Sequence, residues 1–143
     1  MKALLCKKFA AVENLTWEDV PDPYPQDGEV IIEIKAAALN FPDYLIVQGL
    51  YQFKPPLPFS PGSEGAGTIS AVGKNVTEYK VGDRVSFISG WGAFCEKIAI
   101  NQKQVIKIPA TITFELAAAT QLAYGTSYHA LIQRGNLTEN DEI

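Results

Sequence analysis

A mainly β domain, closed or nearly closed into a barrel and followed by two helices, is the fold class this sequence predicts. Three observations carry the prediction. Short β-branched segments recur as far as residues 104–109, with turn residues between them. Proline-rich stretches at residues 21–28 and 52–62 permit neither ladder nor helix, because proline lacks a donor and fixes φ. From Thr113 onward the texture changes to Ala and Leu, with few β-branched residues.

The elements follow in order. Residues 2–7 (KALLCK) are a short apolar start, and residues 15–20 (LTWEDV) alternate in character as a strand does. Residues 29–40 (EVIIEIKAAALN) are the strongest strand, opened by Gly28, with Glu33 and Lys35 on one face. Residues 41–49 (FPDYLIVQG) suit one or two helical turns, with Pro42 near the first position and Gly49 as the stop. Four further strand-like segments occupy 67–73, 83–89, 93–100 and 104–109. In the helical part Thr113 can cap the first helix and Glu115 sits where its dipole favours negative charge. Gly125 is expected to interrupt the run and Gly135 to end it. The tail 136–143 reads as a turn leading to Ile143, the first apolar residue of a further element, so the chain is expected to be cut short.

Composition excludes several classes. The 143 residues are 47% hydrophobic and 20% charged, as in ordinary globular domains. The net charge of −4 and the scattered Lys and Arg argue against nucleic acid as a partner. No apolar run reaches the ~20 residues of a membrane span. Cys6 and Cys95 are far apart and make no CxxC pair, so the expectation is a reduced, cytoplasmic protein without membrane contact.

Residues 58–70 (PFSPGSEGAGTIS) pose the chemical question. A dinucleotide fingerprint needs G-x-G-x-x-G between a buried strand and a helix. Gly65 and Gly67 supply the first interval, but Ser70 stands in place of the third glycine. Proline loop precedes the run, and strand-forming Thr68, Ile69 and Val72 follow it. The run therefore reads as a turn that lets backbone approach backbone and presents Ser63 and Glu64. Glu64 reads as structural, accepting bonds from nearby amides.

The same residues resemble a known family. "PGSEGAGTISAVG" with "VGDRV" is similar to the G-x-E-x-x-G-x-V/I-x-x-x-G signature of the medium-chain dehydrogenase/reductase superfamily. "LNFPDYLIVQGLY" and "ELAAATQLAYGTSYHAL" resemble its quinone oxidoreductase branch. The resemblance implies a GroES-like β-barrel, the catalytic domain of an NADPH-dependent reductase, with residues 1–124 forming that domain. Residues 125–143 would be a connecting helix and the start of a nucleotide-binding domain. It also implies a small-molecule quinone or enone substrate. An isolated chain is expected to be inactive, because these residues hold no pyrophosphate-binding loop. The apolar helical region from Leu116 to Leu131 invites self-association, so the chain is expected to form a homodimer or to need a missing half.

Zinc-binding relatives carry a Cys and a His where this chain has Asn40 and Ser63, an amide and an alcohol that are poor zinc ligands. The expectation is a metal-free site. Asn40 is either a turn-capping residue or, as the resemblance implies, a neighbour of the nicotinamide ribose. Thr126 is either an N-cap or the threonine that lies against the nicotinamide. Tyr51 either rests on the barrel or, as the resemblance implies, lines the quinone slot, where it would bind substrate; the catalytic proton would come from Tyr51 or from water. Asp43 is either a first-turn carboxylate or a substrate contact. Two other readings compete: an enoyl-thioester reductase of the same superfamily, and a free-standing GroES-like barrel used for binding or assembly.

Overall fold

A computed structural model describes residues 1–142; Ile143, read above as opening a further element, lies outside the described residues. The elements in chain order are β1 (Lys2–Leu5), β2 (Thr16–Asp19), β3 (Glu29–Ala38), α1 (Phe41–Val47), β4 (Glu64–Val72), β5 (Arg84–Ile88), β6 (Lys97–Asn101), β7 (Val105–Lys107), α2 (Phe114–Ala118) and α3 (Gln121–Tyr128). A π-helical segment, His129–Arg134, continues α3.

Five strands form one antiparallel sheet in the order β6-β3-β4-β5-β7. Its two edge strands, β6 and β7, are joined only by the 3-10 turn Gln102–Gln104. So short a connection cannot span a flat five-stranded sheet, whose strands lie about 4.8 Å apart. The sheet must therefore wrap until its edges meet, which is the expected nearly closed barrel. β1 and β2 form a separate hairpin-like pair. β1 is tied to the wall by Leu4 N–H donating to Phe94 O and Glu96 N–H donating to Lys2 O.

The barrel core consists of Val30, Ile32, Ile69, Val85, Phe87, Ile98, Ile100 and Val105, supplied by alternate positions of the wrapped strands. A second cluster, Cys6, Ile46, Val47 and Phe59, seats α1. Cys6, a free cysteine, is buried there as a small hydrophobe. A third, Ala66, Ala117 and Ala118, docks α2 on β4, where small residues allow close approach. Arg84 holds the loop before α2, donating to the carbonyls of Pro109, Ala110 and Ile112 while its guanidinium covers the Phe114 ring at 4.4 Å.

Three expectations need correction. The glycine run is not a turn: β4 begins at Glu64, so Gly65 and Gly67 lie within a strand paired on both sides. A Cβ at Gly67 would stand 1.9 Å from Glu33 O, so the run does serve backbone approach, but in the ladder. Second, β6 starts at Lys97 and β1 ends at Leu5; Cys95 and Cys6 each make only an isolated bridge. Third, Gly125 does not break the helical run. The break lies at Ala119 and Thr120, and Gly125 and Thr126 both sit inside α3. The division expected between residues 124 and 125 thus passes through that helix.

Candidate functional site

Asn40 closes the stretch after β3 at the N-cap of α1, in extended conformation, with Pro42 in the first turn as expected. Its backbone N–H donates to Asp43 Oδ2 at 2.8 Å, and Asp43 N–H donates back to Asn40 O at 3.0 Å. The Asn40 side chain turns elsewhere: Nδ2 donates to Glu64 Oε1 at 2.9 Å. Glu64, only 1% exposed, opens β4. Its second oxygen accepts from Leu122 N–H at 2.8 Å, in the first turn of α3.

That bond explains where α3 starts. Thr120, at the N-cap, uses its hydroxyl on Leu116 O at 2.6 Å and caps nothing. The carboxylate of Glu64 takes the vacant role from a distant strand, where the helix dipole favours negative charge. The structural reading of Glu64 is therefore correct, and its reach is greater than expected.

Asp43 is 2% exposed, and burial pushes its carboxyl pKa up. The Asn40 amide opposes that shift, as does Ser63 beside it. Even so, neither Asp43 Oδ1 nor Ser63 Oγ completes an aligned hydrogen bond. Both are buried polar atoms with capacity to spare.

A cleft of about 110 Å³ opens beside this network, lined by Pro42, Ile46, Tyr51, Phe53, Ser63, Ser89, Gly90 and Leu122. Tyr51 packs against the α1 cluster and meets Phe53 edge-on, ring centroids 5.3 Å apart. The structure thus brings Tyr51 together with Ser63 and Leu122 in one cleft, which neither Asn40 nor Glu64 lines. Asp43 faces a different, apolar groove of about 400 Å³ beside Leu39, Tyr44 and Phe94. Thr126 is exposed on α3, one turn beyond Leu122 on the same face, and lines none of these clefts. It is not an N-cap.

A larger groove of about 530 Å³ runs between Ile106, Ile108, Leu116 and Tyr124. Its lining is apolar except for polar groups from Ser86, Thr120, Gln121 and Tyr124. Phe53 and Leu122 went unnoticed in the sequence. An aromatic residue between two prolines and a glycine loop is a signal for the first; the second acts through its backbone and leaves none.

Among the described residues no group of three or more His, Cys, Asp or Glu is placed to hold a metal ion. His129 is exposed and its Nδ1 meets Gln133 Oε1 at 2.7 Å. No helix among the described residues is long and apolar enough to cross a membrane.

A wrapped antiparallel barrel with a helix-flanked cleft at the end of its longest strands defines the class of this domain. Residues 26–110 match the alcohol dehydrogenase GroES-like domain, and the chain belongs to that family, on the quinone oxidoreductase branch of the medium-chain dehydrogenase/reductase superfamily. It is 37% identical over 145 residues to the human synaptic vesicle membrane protein VAT-1 homolog, covering 100% of this chain and 37% of that protein. The crystal structure of the human synaptic vesicle membrane protein VAT-1 homolog-like protein superposes with a TM-score of 0.93 at 35% identity, over 97% of this chain and 45% of that one. The Escherichia coli quinone oxidoreductase complexed with NADPH gives a TM-score of 0.88 at 35% identity, over 96% and 41%. The chain spans less than half the length of each of these proteins.

Proposed function

We propose that this chain is the catalytic, substrate-side domain of a zinc-independent, NADPH-dependent quinone or enone oxidoreductase. The observation that carries the reading is the cleft itself. Tyr51 and Ser63 line it, and the Glu64 bridge fixes α1 and α3 around it. Membership of the quinone oxidoreductase branch supports the same reading.

The residues present fit one end of the cofactor. Asn40 at the head of α1 and Thr126 on the exposed face of α3 would hold the nicotinamide end. A pyrophosphate needs free amides at a glycine loop before a helix. Here the amides of Gly65 and Gly67 belong to a strand paired on both sides, so that end needs a unit beyond this chain. We therefore assign residues 1–124 to the catalytic domain and 125–143 to the connection, with α3 crossing between them.

NADPH, when bound, supplies hydride to a conjugated acceptor, which needs little carbonyl polarisation. The chain's own groups orient that acceptor and exclude water. Ser63 lines the space for the acceptor, and Tyr51 hands its phenolic proton to the acceptor oxygen and recovers a proton from water. Zinc is not required, because an amide engaged with Glu64 and an alcohol replace the thiolate and imidazole that would bind it. Asp43, behind Ser63, holds the α1 turn and contacts substrate only through that serine. The protein acts in the cytoplasm as a homodimer on a small molecule, without nucleic acid or membrane.

The experiment is to extend the reading frame past codon 143 and to assay both the longer protein and the 143-residue chain for quinone-dependent NADPH oxidation. Turnover by the longer protein alone supports the proposal. Turnover by the chain alone removes it.

A further inference from the structure

Asp27 and Gly28 are the one Asp-Gly pair in the chain, and no Asn-Gly pair occurs. They turn the backbone into β3, and Gly28 does so with a φ of +73°, a conformation that glycine takes without steric cost. With no side chain on the following residue, its amide nitrogen can reach the carboxyl carbon of an aspartate. The five-membered succinimide that forms is the route from aspartate to isoaspartate. Asp27 is exposed and stands at the opposite end of β3 from Asn40.

Both reacting groups are held by one neighbouring turn, at residues 74–75. Asn75 Nδ2 donates to Asp27 Oδ1 at 2.9 Å and to Oδ2 at 3.1 Å. Gly28 N–H donates to Lys74 O at 2.7 Å. Asn75 does this from a left-handed backbone, φ +59°, which asparagine tolerates better than most residues. Gln102 ties the two turns together: its Nε2 donates to Asn75 O at 3.1 Å and its N–H to Gly28 O at 2.9 Å. Ring closure must swing the Gly28 nitrogen onto Asp27 Cγ. It therefore breaks the bonds to Lys74 and to Asn75 together.

We propose that Asp27 is a modification site, converting to isoaspartate when the turn at residues 74–75 opens and protected while that turn is closed. Water is the only co-reactant. The Gly28 nitrogen bonds to Asp27 Cγ, and the amide proton leaves with the carboxyl hydroxyl as one water molecule. A second water attacks the main-chain carbonyl carbon of Asp27 and breaks its bond to the Gly28 nitrogen. The chain then runs through Cγ, one methylene longer. That length displaces Gly28 from Lys74 and Gln102, just ahead of the Glu29 to Asn101 pairing of β3 with β6. Modification thus releases this end of the barrel and does not reverse on reclosing.

The test incubates this chain at neutral pH, below its unfolding temperature, beside a sample in urea. The probe is a carboxyl methyltransferase specific for isoaspartate, with radiolabelled S-adenosylmethionine, and peptide mapping places the label. Asn75→Gly keeps the left-handed backbone and removes the clamping amide. Asn75→Asp keeps the size and turns the clamp into a repulsion. Folded wild type should gain label at Asp27 at least about tenfold more slowly than the sample in urea, and each variant should recover about tenfold while its circular dichroism stays native. Equal rates in folded and unfolded wild type overturn the proposal, whichever way the variants fold. Folded variants that gain label no faster than wild type also overturn it. Label that Asp27→Glu fails to remove belongs to another residue and does the same.

Discussion

Glu64 and Leu122 stand 58 residues apart in the chain and are joined by a 2.8 Å hydrogen bond from a backbone amide to a buried carboxylate. The other oxygen of Glu64 holds Asn40. One side chain thereby fixes the head of α1 and the head of α3, the two helices that flank the cleft.

Loss of that bridge should loosen both helices at once. Hydrogen bonds to charged groups contribute about 1.5–3 kcal/mol each. Glu64→Ala should cost about 3 kcal/mol in urea unfolding, and Glu64→Gln, which keeps one acceptor, about 2 kcal/mol. Amide exchange at Leu122 should accelerate in both variants, while that of Ile69 in the ladder should follow global stability only. An unchanged Leu122 rate would contradict the bridge.

Asp43 gives a pH dependence with a definite sign. Burial raises its folded pKa above the ordinary 3.8. Above 3.8 the unfolded chain releases the proton first, so the folded state binds more protons and stability falls as pH rises through the folded value. Asp43→Asn keeps an acceptor for the Asn40 amide and removes the titration. Wild type should lose stability relative to this variant as pH rises from 3.8 toward neutrality. A difference that is flat, or that moves the other way, would contradict the burial argument.

Two glycines separate space from conformation. At Gly67 a Cβ would lie 1.9 Å from Glu33 O, so Gly67→Ala must part β3 from β4, at roughly 3 kcal/mol. Gly82 has open space but a φ of +92°, so Gly82→Ala should cost only about 1 kcal/mol, the strain of a left-handed residue. Comparable losses in the two variants, measured by thermal unfolding, would contradict the close approach in β4.

Association should follow from the helical face. Leu116, Tyr124 and Tyr128 are exposed together on α2 and α3. Such a contiguous apolar surface is rarely left to solvent. Light scattering should show a dimer that Leu116→Glu with Tyr124→Glu returns to monomer. A dispersed wild-type monomer at high concentration would contradict the homodimer.

The barrel strands were legible because β-branched runs such as Val30–Ile32 and Val85–Phe87 are bounded by glycine turns, and burial on the wall rewards both signals. α1 was legible because Pro42 and Gly49 mark its ends. The start of β4 was not, since small residues that look like a turn are what a strand needs when Glu33 O lies so close. The start of α3 was not either. Gly125 is the only local breaker, but the helix end is set by Glu64 across the barrel and by Thr120 bonding back to Leu116. At the site, Asn40 and Tyr51 could be singled out by resemblance. Phe53 could not, because its place in the cleft wall depends on loops far apart in the chain.

The most direct measurement is quinone-dependent NADPH oxidation by the protein encoded when the frame continues past codon 143, with Tyr51→Phe assayed beside it. The account expects turnover without added zinc, and a fall in kcat of about 100-fold in the variant, which keeps the ring and loses the proton donor. No turnover with any quinone or enone, or a variant as fast as wild type, would contradict the assignment of the cleft.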